Sequence, residues 1–206
     1  MAKNIIVYDR MLYYLWNMKP GETGQPNPKI VQHNSTYSEY RILGPEDILP
    51  LVARFSPELA NLWDRIPHWV IQCDLGRLLY IYYHGGMYID SDCVIRKPIP
   101  TSPVVLFTEK TVPLYQLGPR EKKYSVRVAN YAFAAEPQHP FLKEVILECI
   151  RRLTLLKGIT QSDILWVCGP DVITTVYHET LHKDITLLDT TYLNHLMMGS
   201  WRVNVR

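Results

Sequence analysis

The sequence predicts an α/β protein, a mostly parallel central sheet flanked by helices, and three observations carry that prediction. Short runs rich in β-branched and aromatic residues (5–7, 87–89, 104–107, 128–135 and 185–188) alternate with longer segments of helical character, as strand–helix units of a parallel sheet do. Helix-opening signals recur between them at Pro45-Glu46-Asp47, Ser56-Pro57-Glu58, His139-Pro140 and Gly169-Pro170-Asp171; proline is tolerated in the first helical turn because no amide donor is missed there. Polar side chains fall at predicted strand ends, Tyr8, Asp90 and Asp92, and open α/β sheets bind ligands beyond that edge.

Taken in order, residues 5–7 read as a first strand with Tyr8 at its end, and the apolar, aromatic run 11–18 as a helical turn. Residues 19–29, rich in Pro and Gly, form a loop. Ile30-Val31 or residues 40–43 supply the next strand. Acidic Glu46 and Asp47 suit the positive end of the helix they open. Ser56 caps another, whose apolar stripe is Leu59, Leu62, Trp63 and Ile66 before Pro67 ends it. Residues 70–83 form a helix that is apolar nearly all round and so belongs between layers. Gly85 and Gly86 break it and turn the chain into strand 87–89. Beyond the prolines at 98, 100 and 103 comes strand 104–107, then a mixed stretch 108–127 that reads as a loop, strand 128–135, and a long helix opened by His139-Pro140 and ended by Gly158. A helix through Tyr177 and strand 185–188 close the pattern.

The 206 residues are 47% hydrophobic, enough to bury one core, so 1–206 reads as a single compact domain. The net charge is only +2 and the basic residues are scattered, with short clusters at 120–123 and 151–152; these are solvated faces, and no nucleic-acid partner is expected. No apolar run approaches the ~20 residues that span a bilayer, so no transmembrane segment is expected, and the N-terminus has no secretory pattern. Cys73, Cys93, Cys149 and Cys168 form no C-x-x-C pair. They read as reduced thiols, which points to a cytoplasmic protein.

The chemistry concentrates between Cys73 and Ile99. Asp74 and Arg77 share one face of the apolar helix at i and i+3. A buried ion pair is costly unless it serves a polar pocket. Asp90 and Asp92 follow the short strand at i and i+2, spacing that aims both carboxylates one way if the strand continues. Two carboxylates so close repel unless a cation sits near them, and Mg²⁺ or Mn²⁺ prefers such hard ligands with phosphates completing the shell.

The pattern D-x-x-R followed by G-G-x-Y-x-D-x-D, on Asp74, Arg77, Gly85, Gly86, Tyr88, Asp90 and Asp92, resembles the DxD sugar-binding region of glycosyltransferase family 32, a group related to initiating mannosyltransferases and α-1,4-glycosyltransferases. Residues 37–43, 56–66, Asn130 with 132–141, Gly169-Pro170, and His195 with Gly199-Ser200-Trp201 are similar to flanking segments of that family. The resemblance implies a GT-A, Rossmann-like nucleotide-diphospho-sugar transferase fold. It implies a retaining, metal-dependent transfer of a hexose from a UDP- or GDP-sugar to a hydroxyl of a glycan acceptor. By the same resemblance, Asp92 binds Mn²⁺ or Mg²⁺, and Asp90 reaches the ribose, the donor sugar or the metal. His195 completes the metal shell. Asp74 and Arg77 hold the sugar hydroxyls and the diphosphate side of the pocket, and Asn130 faces the donor sugar or the acceptor. Tyr8 lies against the base, and Ser200 and Trp201 close over the diphosphate.

Two other functions share these residues. A non-catalytic nucleotide-sugar or glycan-binding relative would retain the pocket without turnover. The stretch around Asp90 and Asp92 also resembles the haloacid-dehalogenase phosphatase motif, but no later Asp-Asp pair follows.

Overall fold

A computed structural model describes residues 10–113, 124–156 and 159–197. The elements in chain order are β1 (Leu12–Leu15), α1 (Pro28–Asn34), β2 (Tyr40–Leu43), α2 (Pro45–Phe55), α3 (Pro57–Trp63), α4 (Trp69–His84), β3 (Gly86–Ile89), β4 (Cys93–Ile95), β5 (Val104–Thr111), β6 (Val126–Ala135), α5 (Pro140–Thr154), α6 (Gln161–Val167), α7 (Pro170–Glu179), β7 (Ile185–Leu188) and β8 (Leu193–His195).

Six strands form the central sheet in the order β2-β1-β3-β6-β5-β7. The pairs β1–β2, β1–β3 and β5–β7 are parallel, and β6 runs antiparallel to both of its neighbours. Five strands therefore point one way, as expected. A two-stranded antiparallel ribbon, β4–β8, stands apart with Cys93 opposite His195.

Alternation along the strands divides the core in two. Tyr88, Val104, Leu106, Phe133 and Ala135 face the helices α2 to α7. Met87, Ile89, Val105, Phe107, Ala132 and Ala134 face α1 and the ribbon. Period-2 burial on both faces is what a covered sheet requires.

The helix starts follow local chemistry. The Ser56 hydroxyl accepts the Leu59 amide, and the Asp47 carboxylate accepts the Gly44 amide at 3.0 Å. Two imidazoles cap helices, His68 Nδ1 for α4 and His139 Nδ1 for α5, each 3.2 Å from its amide. Gly85 and Gly86 have φ of +69° and +94°. A Cβ on Gly86 would lie 2.9 Å from the Met11 carbonyl oxygen, so only glycine lets β3 pack this close to the chain before β1.

Three expectations are corrected. Residues 11–18 contain strand β1, not a helical turn: Leu12 and Tyr14 are buried while Tyr13 and Leu15 are half-buried, a period of two masked in the sequence because all four are apolar. Of the two candidates for the next strand, 40–43 is β2, whereas Ile30 and Val31 lie in α1, where the Asn27 side chain and Pro28 start a helix despite the β-branched pair. Residues 108–127 are not one loop, since β5 runs on to Thr111 and β6 begins at Val126. The short elements β4, β8 and α6 were not anticipated. The expected strand 5–7 and the helix end at Gly158 lie outside the described residues.

Candidate active site

The carboxyl edge of the sheet opens into a cavity of about 360 Å³. Trp16 enters it from the end of β1, Asp74 and Arg77 from α4, and Asp90 and Asp92 from the segment after β3. Asn130 arrives from the first half of β6, which reaches this edge because β6 runs against the other strands.

Arg77 organises the floor. Its Nη1 donates to Asp90 Oδ1 and to the Asn130 carbonyl oxygen, both at 3.0 Å, and its Nη2 donates to Asp74 Oδ1. The guanidinium lies 4.6 Å from the Tyr88 ring centre, and the Tyr88 hydroxyl donates to Asp90 Oδ1. Asn130 Nδ2 donates to Asp74 Oδ1 at 3.2 Å. Asp74 and Arg77 are 4% and 7% exposed, so this is a satisfied buried network and not a surface pair.

Burial pushes the Asp74 carboxyl upward against the pull of Arg77. Burial also raises Asp90, with Arg77 and the Tyr88 hydroxyl opposing it. For Arg77, burial alone would lower the pKa, but Asp74, Tyr88 and Asp90 outweigh it and keep the guanidinium charged.

Asp92 belongs to a second group. The segment after β3 is a turn, closed by the Cys93 amide on the Asp90 carbonyl at 3.0 Å, so the strand alternation expected of Asp90 and Asp92 does not apply. Asp90 faces Arg77, whereas Asp92 Oδ1 lies 3.3 Å from His195 Nε2. The β4–β8 ribbon makes that approach, and the Leu196 amide donates to the Asp92 carbonyl oxygen at 3.0 Å. Burial lowers the His195 pKa, but the hydrogen bond to Asp92 and the negative charges of Asp92, Asp90 and Glu109 together outweigh it, and the net shift is upward. Ligand atoms of Asp92, Cys93 and His195 lie within 4.8 Å of one another. The Cys93 thiol is held well above its usual range by burial and by Asp90 and Asp92, which leaves an oxygen and an imidazole nitrogen as the ready donors.

The structure thus gathers Asp74, Arg77, Asp90, Asp92, Asn130 and His195 around one cavity. Tyr8, Ser200 and Trp201 lie outside the described residues. Several lining residues were not anticipated: Trp16, Trp69, Glu109 and Tyr131. Trp16 is the aromatic side chain at the end of β1, and its buried indole N–H has no hydrogen-bond partner among the described residues. Reading 12–15 as a strand would have placed it there. The Tyr131 ring packs 4.1 Å from that of His195.

Residues 18–118 match the family described as the glycosyltransferase sugar-binding region containing the DXD motif. The chain is 26% identical over 140 residues to the uncharacterized glycosyltransferase L373 of Acanthamoeba polyphaga mimivirus, a match covering 68% of this chain and 53% of that protein. It therefore spans about half the length of that curated relative. Its fold is similar to the PaToxG glycosyltransferase, with a TM-score of 0.55 at 14% identity over 82% of this chain and 69% of the other. With the DXD segment at the floor of its cavity and a mostly parallel sheet behind it, the chain is similar in sequence to the DXD-containing, family 32-like glycosyltransferases and in fold to a glycosyltransferase.

Proposed function

We propose that the chain is a metal-dependent, retaining glycosyltransferase that moves a hexose from a UDP- or GDP-sugar to a hydroxyl of a glycan acceptor. The observation that carries this reading is the division of one cavity into a guanidinium-centred network and a separate carboxylate–imidazole pair. The donor set fits Mn²⁺ or Mg²⁺: Asp92 and His195 offer hard and borderline atoms 3.3 Å apart, a spacing one cation can bridge. When bound, the cation would supply positive charge where the departing nucleoside diphosphate gathers negative charge. Asp90, already tied to Arg77 and Tyr88 through Oδ1, is better placed to reach that centre through its outer side or a water than to ligate it fully.

The remaining residues bind and orient. Arg77 and Asn130 both use Asp74 Oδ1, so Asp74 Oδ2 would take a donor-sugar hydroxyl. The Asn130 amide, fixed by that bond, would face the reacting carbon. Trp16, with its unsatisfied N–H at the end of β1, would flank the nucleotide. A carboxylate-rich floor also favours an oxocarbenium-like transition state. Retention is supported by the family 32-like pattern; in a front-face mechanism the leaving phosphate itself would accept the acceptor's proton. Tyr8, Ser200 and Trp201 remain proposed nucleotide-side residues. Among the described residues no helix is long and apolar enough to cross a membrane.

The test is thermal shift and calorimetry with UDP- and GDP-sugars, with and without Mn²⁺, followed by release of nucleoside diphosphate. Stabilisation that needs both metal and one nucleotide class, with turnover, is the expected result. Binding without turnover would make the chain a nucleotide-sugar-binding module, and no binding would remove the donor site.

A further inference from the structure

Glu109 stands on the cavity wall away from the donor network, and the sheet has been distorted to put it there. Along the β5–β6 ladder, Leu106 pairs with Phe133 but Thr108 pairs with Val128, so one β5 residue faces four of β6 (129–132). The next pair, Lys110 with Arg127, leaves Glu109 as an extra residue on β5. Such bulges re-aim a side chain, and they concentrate beside active sites. Here the β6 irregularity holds Asn130 and Tyr131, the β5 irregularity holds Glu109, and all three line the cavity.

The Glu109 carboxylate is also held in place. Arg127 Nε lies 2.7 Å from Glu109 Oε2, and Arg127 Nη2 lies 2.7 Å from Asp171 Oδ1. Asp171 is 1% exposed in its side chain, Arg127 15% and Glu109 31%. A buried acid at the start of α7 thus anchors a guanidinium that in turn fixes a carboxylate facing the cavity. A carboxylate has about four acceptor sites, so the ion pair with Arg127 leaves Glu109 with acceptor capacity for a ligand. Ile164, Leu165 and Pro170 supply apolar surface to the same cavity.

In the sheet, β5 lies two strands from β3. Glu109 is thus separated from the end of β3 by β6, and it lines the same cavity as Asp74 and Asn130, where a donor sugar would be held. The geometry points to Glu109 as the residue that binds the acceptor: its carboxylate accepts a hydrogen bond from a pyranose hydroxyl while the apolar surface and Tyr131 meet the ring's C–H face. This rests on the glycosyltransferase reading above and adds to it the acceptor's chemical class, a neutral pyranoside, and the residue that selects it.

The experiment is saturation-transfer NMR of the full chain with the methyl α-glycosides of glucose, galactose and mannose, in the presence of diamagnetic Mg²⁺ and UDP or GDP. In parallel, calorimetry measures UDP and GDP binding to wild type, Glu109→Gln and Glu109→Ala. At least one methyl hexoside is expected to receive saturation from the wild type. Its affinity should fall about tenfold in both variants, the loss of one hydrogen bond to a charged group, while nucleotide affinity stays within about twofold, well under the 1.4 kcal/mol of a tenfold change. The isosteric Gln variant guards against a folding defect, checked by its melting temperature. No hexoside signal from the wild type, or an undiminished signal in both variants, overturns the assignment while metal-dependent nucleotide binding, if seen, leaves the donor site standing. Loss of nucleotide binding in the wild type itself instead removes the glycosyltransferase reading, and the acceptor role falls with it.

Discussion

Arg77 Nη1 donates to Asp90 Oδ1 at 3.0 Å, so the first carboxylate of the D-x-D sequence is bound to helix α4, while the second, Asp92, turns to His195. Two residues that look equivalent in sequence are therefore chemically separate, and their substitutions should behave differently.

Removing the guanidinium leaves Asp74 buried beside no cation. Arg77→Ala is expected to destabilise the fold by about 3–5 kcal/mol, the cost of orphaning a buried charge. Arg77→Lys should recover little, because a lysine cannot reach Asp74, Asp90 and the Asn130 carbonyl in one planar fork. Urea denaturation measures both, and an unchanged midpoint for Arg77→Ala would place the network outside the stability of the fold.

The Asp92 pair predicts a different phenotype. Asp92→Asn should leave the melting temperature of the metal-free protein within a few degrees and abolish Mn²⁺-dependent nucleotide binding. Asp90→Asn, acting from outside the ligand pair, should weaken metal affinity by about 10–100-fold. Titration with MnCl2 followed by electron paramagnetic resonance separates the two, and equal losses would mean that both carboxylates ligate alike.

Much of this site was legible because its determinants are local. Ser56 and the prolines at 45, 57, 140 and 170 mark helix starts, and Gly85-Gly86 marks the only turn that lets β3 follow α4 so closely. The i, i+3 placement of Asp74 and Arg77 follows from the helix itself. What stayed hidden is tertiary. The divergence of Asp90 and Asp92 depends on a turn closed by Cys93, and Glu109 owes its direction to a ladder slip that no sequence period announces. Strand β1 was obscured for the opposite reason, since residues 12–15 are apolar on both faces.

Acid should destabilise the fold through α5. Glu148 makes ion pairs with Arg151 and the buried Arg152, each at 2.7 Å, and these hydrogen bonds hold its carboxyl below the usual glutamate value of 4.5. The unfolded chain then binds the proton more readily than the folded one. The pairing stabilises the fold fully above about pH 4.5 and is lost as pH falls through the depressed folded value. Because Arg152 also donates to the Trp166 carbonyl oxygen at 2.7 Å, loosening Glu148 loosens the α5–α6 contact. Glu148→Gln should flatten the decline of melting temperature below pH 5, and parallel curves for variant and wild type would exclude this residue as a source of that decline.

The β4–β8 ribbon makes the two proposed metal ligands come from opposite halves of the chain, Asp92 before β4 and His195 at the end of β8. An ion seated between them is a fastener as well as a reagent. It would close a loop containing β5, β6, α5, α6, α7 and β7, and because it would bind only the assembled form, its concentration would set how firmly that loop is shut. Occupancy of the proposed metal site and integrity of that loop would then rise and fall as one quantity.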